Sequence, residues 1–82
     1  MPIPVKEKPQ LPVPLRSLLG MNLFRIRTER GWTQEELAYE AGLHRTYISQ
    51  VEKGTRNVSV DTVECTVAAL EIDVRELFFV DK

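Results

Sequence analysis

The sequence is poor in the residues that build metal centres and nucleophilic catalytic sites. It has one cysteine, Cys65, and one histidine, His44. One cysteine cannot form a disulfide within the chain, and the two residues together cannot supply the four donors of a structural zinc site. The sequence also has no glycine-rich phosphate loop. We therefore expect no enzyme, metal, cofactor or small-molecule ligand. Cys65 is interpreted as an ordinary helix residue, with contact to a second subunit as the alternative.

Long apolar runs and a strong net charge are also missing. No apolar run approaches the roughly 20 residues that span a bilayer, and no signal-peptide pattern opens the chain, so we expect a cytoplasmic protein without membrane contact. A net charge of -1 argues against a protein that coats nucleic acid indiscriminately. The charges are unevenly placed, however. Residues 16–56 hold seven cations and five anions, and residues 57–82 hold two cations and six anions, which favours one basic face and an acidic opposite end.

Proline is absent after residue 14, because all five prolines lie within residues 1–14. Each removes a backbone donor and disfavours helix at the residue before it. Residues 1–15 are therefore predicted to form an extended or flexible arm, and residues 16–82 a folded domain. A flexible tail is favoured over an arm that contacts DNA or a partner subunit.

The remaining pattern is helical. Gly31, Gly42 and Gly54 each follow a stretch of apolar residues at helical spacing, where a left-handed C-terminal cap favours glycine. Thr33 with Glu36 and Asp73 with Glu76 match the capping box at a helix start. Apolar residues that flank each proposed N-cap support the same boundaries. The prediction is an all-α fold of five helices at about 17–30, 34–41, 45–53, 60–71 and 74–79. The proposed N-caps of the last four helices are Thr33, His44, Ser59 and Asp73.

The apolar positions of these helices define the expected core. Their spacing of three or four residues places them on one face of each helix. We expect a core made of Leu19, Leu23, Ile26, Trp32, Leu37, Ala41, Ile48, Val51, Val60, Val63, Val67, Leu70 and Leu77.

Residues 33–54, TQEELAYEAGLHRTYISQVEKG, carry the most informative pattern. A short helix, a glycine turn and a second helix follow one another within a few residues, which predicts a helix-turn-helix. Because Ile48 and Val51 fix the second helix to the core, its other side must face outward. That side carries side chains that suit the hydrogen-bonding edges of base pairs. They are Arg45, Thr46, Ser49, Gln50 and Lys53.

The segments TQEELA, AGL and YISQVEKG, with the following RN, resemble the helix-turn-helix of Xre/Cro-type, lambda-repressor-like proteins. The resemblance covers residues 19–78 and implies that family's five-helix DNA-binding domain. HRTYIS and EKGTRN are also similar to the controller proteins of restriction-modification systems, which regulate transcription as homodimers. The sequence departs from the family pattern at His44, where a serine, threonine or aspartate cap is usual.

The resemblance implies roles for individual residues. Arginine can bind guanine O6 and N7 together, which is worth about 1–3 kcal/mol of discrimination. The family resemblance also implies that Arg27 pairs with Glu52, which would hold the first helix to the recognition helix. For Tyr47, covering the edge of the core is an equally weighted alternative. The implied base contacts are Arg45, Thr46, Ser49 and Gln50, and the implied DNA backbone contacts are Thr33, Gln34, His44, Tyr47, Lys53, Arg56 and Asn57.

The chain ends in an apolar run, Leu77, Phe78, Phe79 and Val80, which exceeds what one short helix can bury. We expect it to contact a second subunit, with folding back onto the monomer's own core as the alternative. The predicted function is a sequence-specific double-stranded DNA-binding transcriptional regulator that acts as a homodimer on a palindromic or pseudopalindromic operator. The alternative is an antitoxin or protein-interaction module of the same fold, whose main partner is another protein.

Overall fold

Four α-helices and one short 3-10 helix make up the regular structure of residues 13–80, which are the residues that the computed structural model of this chain describes. No strand occurs in that range, and the predicted all-α fold is confirmed there. The last of the five predicted helices is a 3-10 helix instead of an α-helix. The elements are α1 (Leu15–Glu29), α2 (Gln34–Ala41), α3 (Arg45–Lys53), α4 (Val60–Leu70) and the 3-10 helix Val74–Phe78.

The first helix begins earlier than the sequence predicts. It starts at Leu15, and Pro14 precedes it at the N-cap position. The carbonyl oxygen of Pro14 accepts from the backbone N–H groups of Ser17 and Leu18, both at 3.0 Å. Pro14 and Leu15, which the sequence assigned to the arm, therefore open the helix. The rest of the predicted arm, residues 1–12, lies outside the described residues.

The predicted helix starts and ends match the structure where local chemistry determines them. Both capping boxes, Thr33 with Glu36 and Asp73 with Glu76, are present. The hydroxyl of Ser59 accepts from the backbone N–H of Thr62 at the start of α4. The three predicted glycines all have positive φ. The end of α4 differs from the prediction, because Glu71 takes a left-handed conformation with φ 53° and terminates the helix at Leu70.

The core lies where α1 packs on α3 and on the 3-10 helix, and where α2 packs on α3 and α4. Trp32, Tyr47, Val63 and Val67 lie half-buried against it. Ala38 was not predicted as a core residue. The central buried residues are Leu19, Leu23, Ile26, Leu37, Ala38, Ile48, Val51, Leu70 and Leu77.

The prediction that Val60 belongs to the core is wrong, because this side chain is 83% exposed. The buried line along α4 consists of Thr62, Thr66 and Leu70, which are spaced by four residues. Residues two apart lie about 160° from each other around a helix axis, so Val60 faces away from Thr62. The threonines can be buried because their hydroxyls are hydrogen-bonded: Thr66 donates to the carbonyl of Val63, and Thr62 contacts Tyr47 and Ser59.

A glycine permits the close approach of α1 to α3. A Cβ placed on Gly20 would lie 2.3 Å from the carbonyl oxygen of Val51 and 2.7 Å from that of Glu52. These distances are too short for any side chain, so α1 rests directly on the backbone of α3. Among residues 13–80, no helix is long and apolar enough to cross a membrane.

Candidate nucleic-acid interface

A three-residue turn connects α2 to α3 and determines how α3 projects. Gly42 ends α2 in the left-handed conformation, with φ 72°. The next backbone N–H, that of Leu43, donates back to the carbonyl of Ala38 at 2.8 Å. This αL turn lets α3 begin at Arg45 in a new direction, which is the geometry of a helix-turn-helix.

The inner side of α3 is anchored, and the outer side carries polar side chains. Ile48 and Val51 are buried almost completely. Arg45 and Thr46 are exposed, and Ser49 and Gln50 are half-buried. We call these last four residues the base-contact set. Because they are spaced as two pairs four residues apart, they share one side of the helix.

Arg45 is held only weakly by the protein. Its Nε lies 3.8 Å from Oε1 of Glu35, and both side chains are largely exposed. A solvent-exposed pair at that separation contributes little, about 0–1 kcal/mol. The guanidinium can therefore leave Glu35 for a partner outside the chain.

Gln50, in contrast, already has a protein partner. Nη1 of Arg56 donates to Oε1 of Gln50 at 2.6 Å. The guanidinium of Arg56 also lies over the ring of Tyr47, 5.0 Å from its centre. The sequence implied a DNA backbone contact for Arg56, whereas in the structure its side chain turns back onto α3.

Tyr47 lies half-buried between α3 and α4. Its hydroxyl is 3.1 Å from the hydroxyl of Thr62, and its ring packs against the core. The ring therefore covers the core edge, which is the alternative that sequence analysis left open. One face of the same ring carries Arg56.

Asn57, in the loop after α3, is fastened to the first turn of α1. Nη1 of Arg16 donates to its Oδ1 at 3.0 Å. This role of Arg16 was not predicted, because a contact across 41 positions has no local pattern in the sequence. The bond adds a cation to this loop and directs the amide nitrogen of Asn57 away from Arg16.

The start of α2 uses its polar groups within the protein. Oγ1 of Thr33 accepts from the N–H of Glu36 at 3.0 Å, and Oε1 of Glu36 accepts from the N–H of Thr33 at 2.8 Å. The Gln34 side chain is half-buried, and its Nε2 donates to Oε1 of Glu52 at 3.0 Å. The amide of Gln34 is thus used inside the protein, whereas the sequence implied a DNA backbone contact for it.

His44 and Lys53 lie at the two ends of α3, and both are exposed. His44 occupies the N-cap position, but within residues 13–80 its side chain makes no capping hydrogen bond. Its imidazole is therefore available to a solvent-side partner. Lys53 lies in the last turn, where a cation complements the helix dipole.

Arg27 and Glu52 form a buried, two-point ion pair. Nε of Arg27 lies 2.6 Å from Oε2 of Glu52, and Nη2 lies 3.0 Å from Oε1. The side chains are only 9% and 4% exposed. Nη1 of Arg27 also donates to the carbonyl of Trp32 at 2.7 Å. The pair joins α1 to α3 and to the loop before α2.

The apolar run at the chain end divides between core and surface. Leu77 is completely buried in the core of its own chain, so its predicted place in a subunit interface is wrong. Phe78 is half-buried, while Phe79 and Val80 are exposed. Folding back, the alternative left open by the sequence, accounts for Leu77 and for the half-buried Phe78, which packs against the core. Phe79 and Val80 instead line a groove of about 940 Å³ together with Met21 and other residues of α1.

Asn22 attaches this chain end to α1. Its Nδ2 donates to the carbonyls of Leu77 and Phe79, both at 2.9 Å. Its Oδ1 accepts from Nη2 of Arg25 at 3.3 Å. Sequence analysis assigned Asn22 no role, since a single asparagine inside a helix pattern gives no sign of a distant partner. This buried amide positions the exposed Phe79 and Val80 beside α1.

Comparison with known proteins agrees with this geometry. A helix-turn-helix family model matches residues 23–77. The control protein C.BamHI of Bacillus amyloliquefaciens is 45% identical over 64 residues, which cover 77% of this chain and 79% of that protein. The crystal structure of the restriction-modification controller protein C.AhdI from Aeromonas hydrophila superposes with a TM-score of 0.74 at 43% identity, covering 77% of this chain and 96% of that one.

A second similar structure contains DNA. The controller protein C.Esp1396I, as a tetramer in complex with its natural 35 base-pair operator, has a TM-score of 0.69 at 34% identity and covers 79% of this chain and 96% of that one. The resemblance drawn from TQEELA, AGL and YISQVEKG is thereby confirmed. This chain belongs to the Xre-type helix-turn-helix family of DNA-binding transcriptional regulators.

Proposed function

We propose that this protein recognises a specific double-stranded DNA operator and regulates transcription from it as a homodimer. The observation that carries the proposal is the base-contact set on the outer side of α3. A major groove admits an α-helix, and base pairs present distinct patterns of donors and acceptors there. The set offers these edges a guanidinium, two hydroxyls and an amide, while Ile48 and Val51 hold the opposite side of α3 in the core.

Polar groups around α3 support phosphate contacts on either side of the groove. Lys53 lies at the end of α3 and His44 at its start, and Asn57 in the following loop accepts a hydrogen bond from Arg16 of α1. The first turn of α2 adds a helix start, which attracts phosphate through its N–H groups and dipole. Such contacts fix the orientation of a protein on DNA without specifying sequence.

The groove between α1 and the chain end supports dimerisation. Phe79 and Val80 expose apolar surface there, and Met21 and Phe24 on α1 extend the exposed apolar area. Two-fold pairing through this surface would present two copies of α3, and a palindromic operator would match that symmetry. The tetramer of the related C.Esp1396I on its operator supports assembly on DNA in this family. The similarity of this chain to several controller proteins also supports a role in a restriction-modification system.

Selection of bound duplexes from a random pool tests DNA recognition directly. We expect the selected sequence to be palindromic, with half-sites about one helical turn, roughly 34–36 Å, apart. Arg45→Ala should relax the preference at one position of each half-site, at a cost of about 1–3 kcal/mol for the preferred base. Lys53→Ala removes the same charge from the same helix and is the control. It should weaken binding equally for all sequences. It should also lower by about one the salt slope, which is the steepness with which the logarithm of the affinity falls with the logarithm of the salt concentration.

Two results would contradict the proposal. If the wild-type protein shows no preference among duplexes, a protein partner becomes the favoured function, as for an antitoxin of this fold. If Arg45→Ala and Lys53→Ala behave alike, the outer side of α3 binds phosphate and does not contact bases.

The subunit interface can be tested with two matched exposed residues. Phe79→Asp places a charge in the groove between α1 and the chain end, and Val60→Asp places the same charge on the exposed side of α4. Sedimentation equilibrium should show a dimer for Val60→Asp and a monomer for Phe79→Asp. The reverse result would move the interface to α4.

A further inference from the structure

We propose that Arg56 determines which base Gln50 prefers, so that the two side chains act as one donor unit directed at guanine. This inference rests on the proposed DNA-binding function and refines it. It also changes the role of Arg56, from a phosphate contact to a positioning residue for a base contact.

The loop that carries Arg56 is folded tightly onto the end of α3. Gly54 caps the helix, and the backbone N–H and the hydroxyl of Thr55 both donate to the carbonyl of Gln50, at 3.2 and 3.3 Å. The following residue, Arg56, can then reach back along the helix, and its Nη1 meets Oε1 of Gln50 at 2.6 Å. A charge-assisted hydrogen bond of this length is among the stronger contacts available at a protein surface.

Tyr47 supplies a platform for the guanidinium. Arg56 lies 5.0 Å from the centre of the Tyr47 ring, within the range of a cation–π contact. The ring is itself held by α4, because its hydroxyl lies 3.1 Å from the buried Thr62 hydroxyl, which also receives a hydrogen bond from Ser59 at 3.0 Å. Arg56 therefore stacks on a ring that packed groups hold in place.

The bond to Arg56 changes what Gln50 can offer DNA. A glutamine amide has one acceptor oxygen and two N–H donors. Its usual contact with adenine needs both groups, since Oε1 accepts from N6 and Nε2 donates to N7. Because Oε1 already accepts from the guanidinium of Arg56, the N6 amino group of an adenine would face N–H donors and would lack a free acceptor. The amide is left with its Nε2 donors, which match the O6 and N7 acceptors of guanine.

Selection of duplexes with four proteins tests the proposal: wild type, Arg56→Ala, Gln50→Ala and the double variant. The base that faces Gln50 is identified as the one whose preference disappears in Gln50→Ala. We expect guanine there with the wild type. In Arg56→Ala, Oε1 is released, and the ratio of adenine to guanine affinity at that base should rise by about fivefold or more. In the Gln50→Ala background, removal of Arg56 should leave that ratio unchanged.

Two controls separate positioning from charge. Arg56→Lys keeps the charge but loses the planar fork, so it should keep the wild-type salt slope while its base preference changes as in Arg56→Ala. Asn57→Ala, one residue further on, should lower affinity equally for all duplexes. Because Arg56 and Asn57 are both exposed, their variants should melt like the wild type.

If Arg56→Ala lowers affinity equally for every duplex and reduces the salt slope by about one, Arg56 is a phosphate contact and the proposal is wrong. An adenine preference in the wild type would also overturn it. Absence of any sequence preference in the wild type would instead contradict the proposed function, so the two failures are distinguishable.

Discussion

The ion pair between Arg27 and Glu52 predicts a large and asymmetric loss of stability. In Arg27→Met, the carboxylate of Glu52 would stay in a site where it is only 4% exposed and would keep one donor, Nε2 of Gln34. Removing one partner of a buried pair costs about 3–5 kcal/mol, because the remaining charge is stranded. At about 0.05–0.15 kcal/mol per residue, 82 residues have a total stability of roughly 4–12 kcal/mol. The variant should therefore lose about a quarter or more of its stability.

Urea denaturation is the appropriate assay, and the chain supplies its own probe. Trp32 is the only tryptophan, it lies half-buried against the core, and its carbonyl accepts from Arg27. Fluorescence of Trp32 and circular dichroism should report the same transition. Arg25→Met is the matched control, since Arg25 forms an exposed pair with Glu29 at 3.2 Å and, beside it, a long hydrogen bond of 3.3 Å to Asn22. It should cost less than about 0.5 kcal/mol.

The double variant Arg27→Met with Glu52→Leu distinguishes a stranded charge from a lost contact. Replacing both charges by apolar groups should recover much of the stability lost in Arg27→Met. The reasoning is refuted if Arg27→Met costs under about 1 kcal/mol, or if the double variant is as unstable as the single one. Either result would mean that water reaches Glu52 despite its burial.

Three further predictions concern the packing and the chain end. Gly20→Ala should destabilise the fold by about 1–3 kcal/mol, because its Cβ would lie 2.3 Å from the Val51 carbonyl oxygen; a gain in urea midpoint, as helix propensity alone predicts, would contradict this contact. Asn22→Ala should cost about 1–3 kcal/mol and increase proteolysis near the chain end, since two carbonyls lose their donor; an unchanged digestion pattern would contradict it. Hydrogen bonds from Arg75 lower the pKa of Asp73 from 3.8 to about 2. Its stabilising contribution should be complete above pH 3.8 and lost as pH falls through about 2. An NMR titration of Asp73 checks this, and Arg75→Ala should return the midpoint towards 3.8.

The helix-turn-helix was predictable because its boundaries depend on neighbouring residues. The Thr33 capping box and Gly42 determine where α2 starts and ends, and each acts over three or four positions. The outward side of α3 followed from the spacing of Ile48 and Val51. The Arg27–Glu52 pair was different, because its prediction was implied by the family resemblance and not by any pattern of residues in the chain.

The features that were missed depend on distant residues. Gly20 had no visible reason to be a glycine until α3 was placed against it, and Arg56 gave no sign that it turns towards Gln50. The error at Val60 arose because apolar spacing alone suggested one face of α4, while hydrogen-bonded threonines allowed a different face to be buried. Side-chain hydrogen bonds of this kind are invisible to hydrophobic periodicity.

The attachment of the chain end to α1 has a consequence for synthesis of the protein on the ribosome. The side-chain amide of Asn22 donates to carbonyls that lie 55 and 57 positions later in the chain. Leu77, near the same chain end, contributes a fully buried side chain to the core. A nascent chain that has exposed only α1 to α4 lacks both the last core residue and these hydrogen bonds. Packing of α1 against the chain end therefore requires that residues 77–79 have emerged, although the helix-turn-helix itself can form earlier from local contacts.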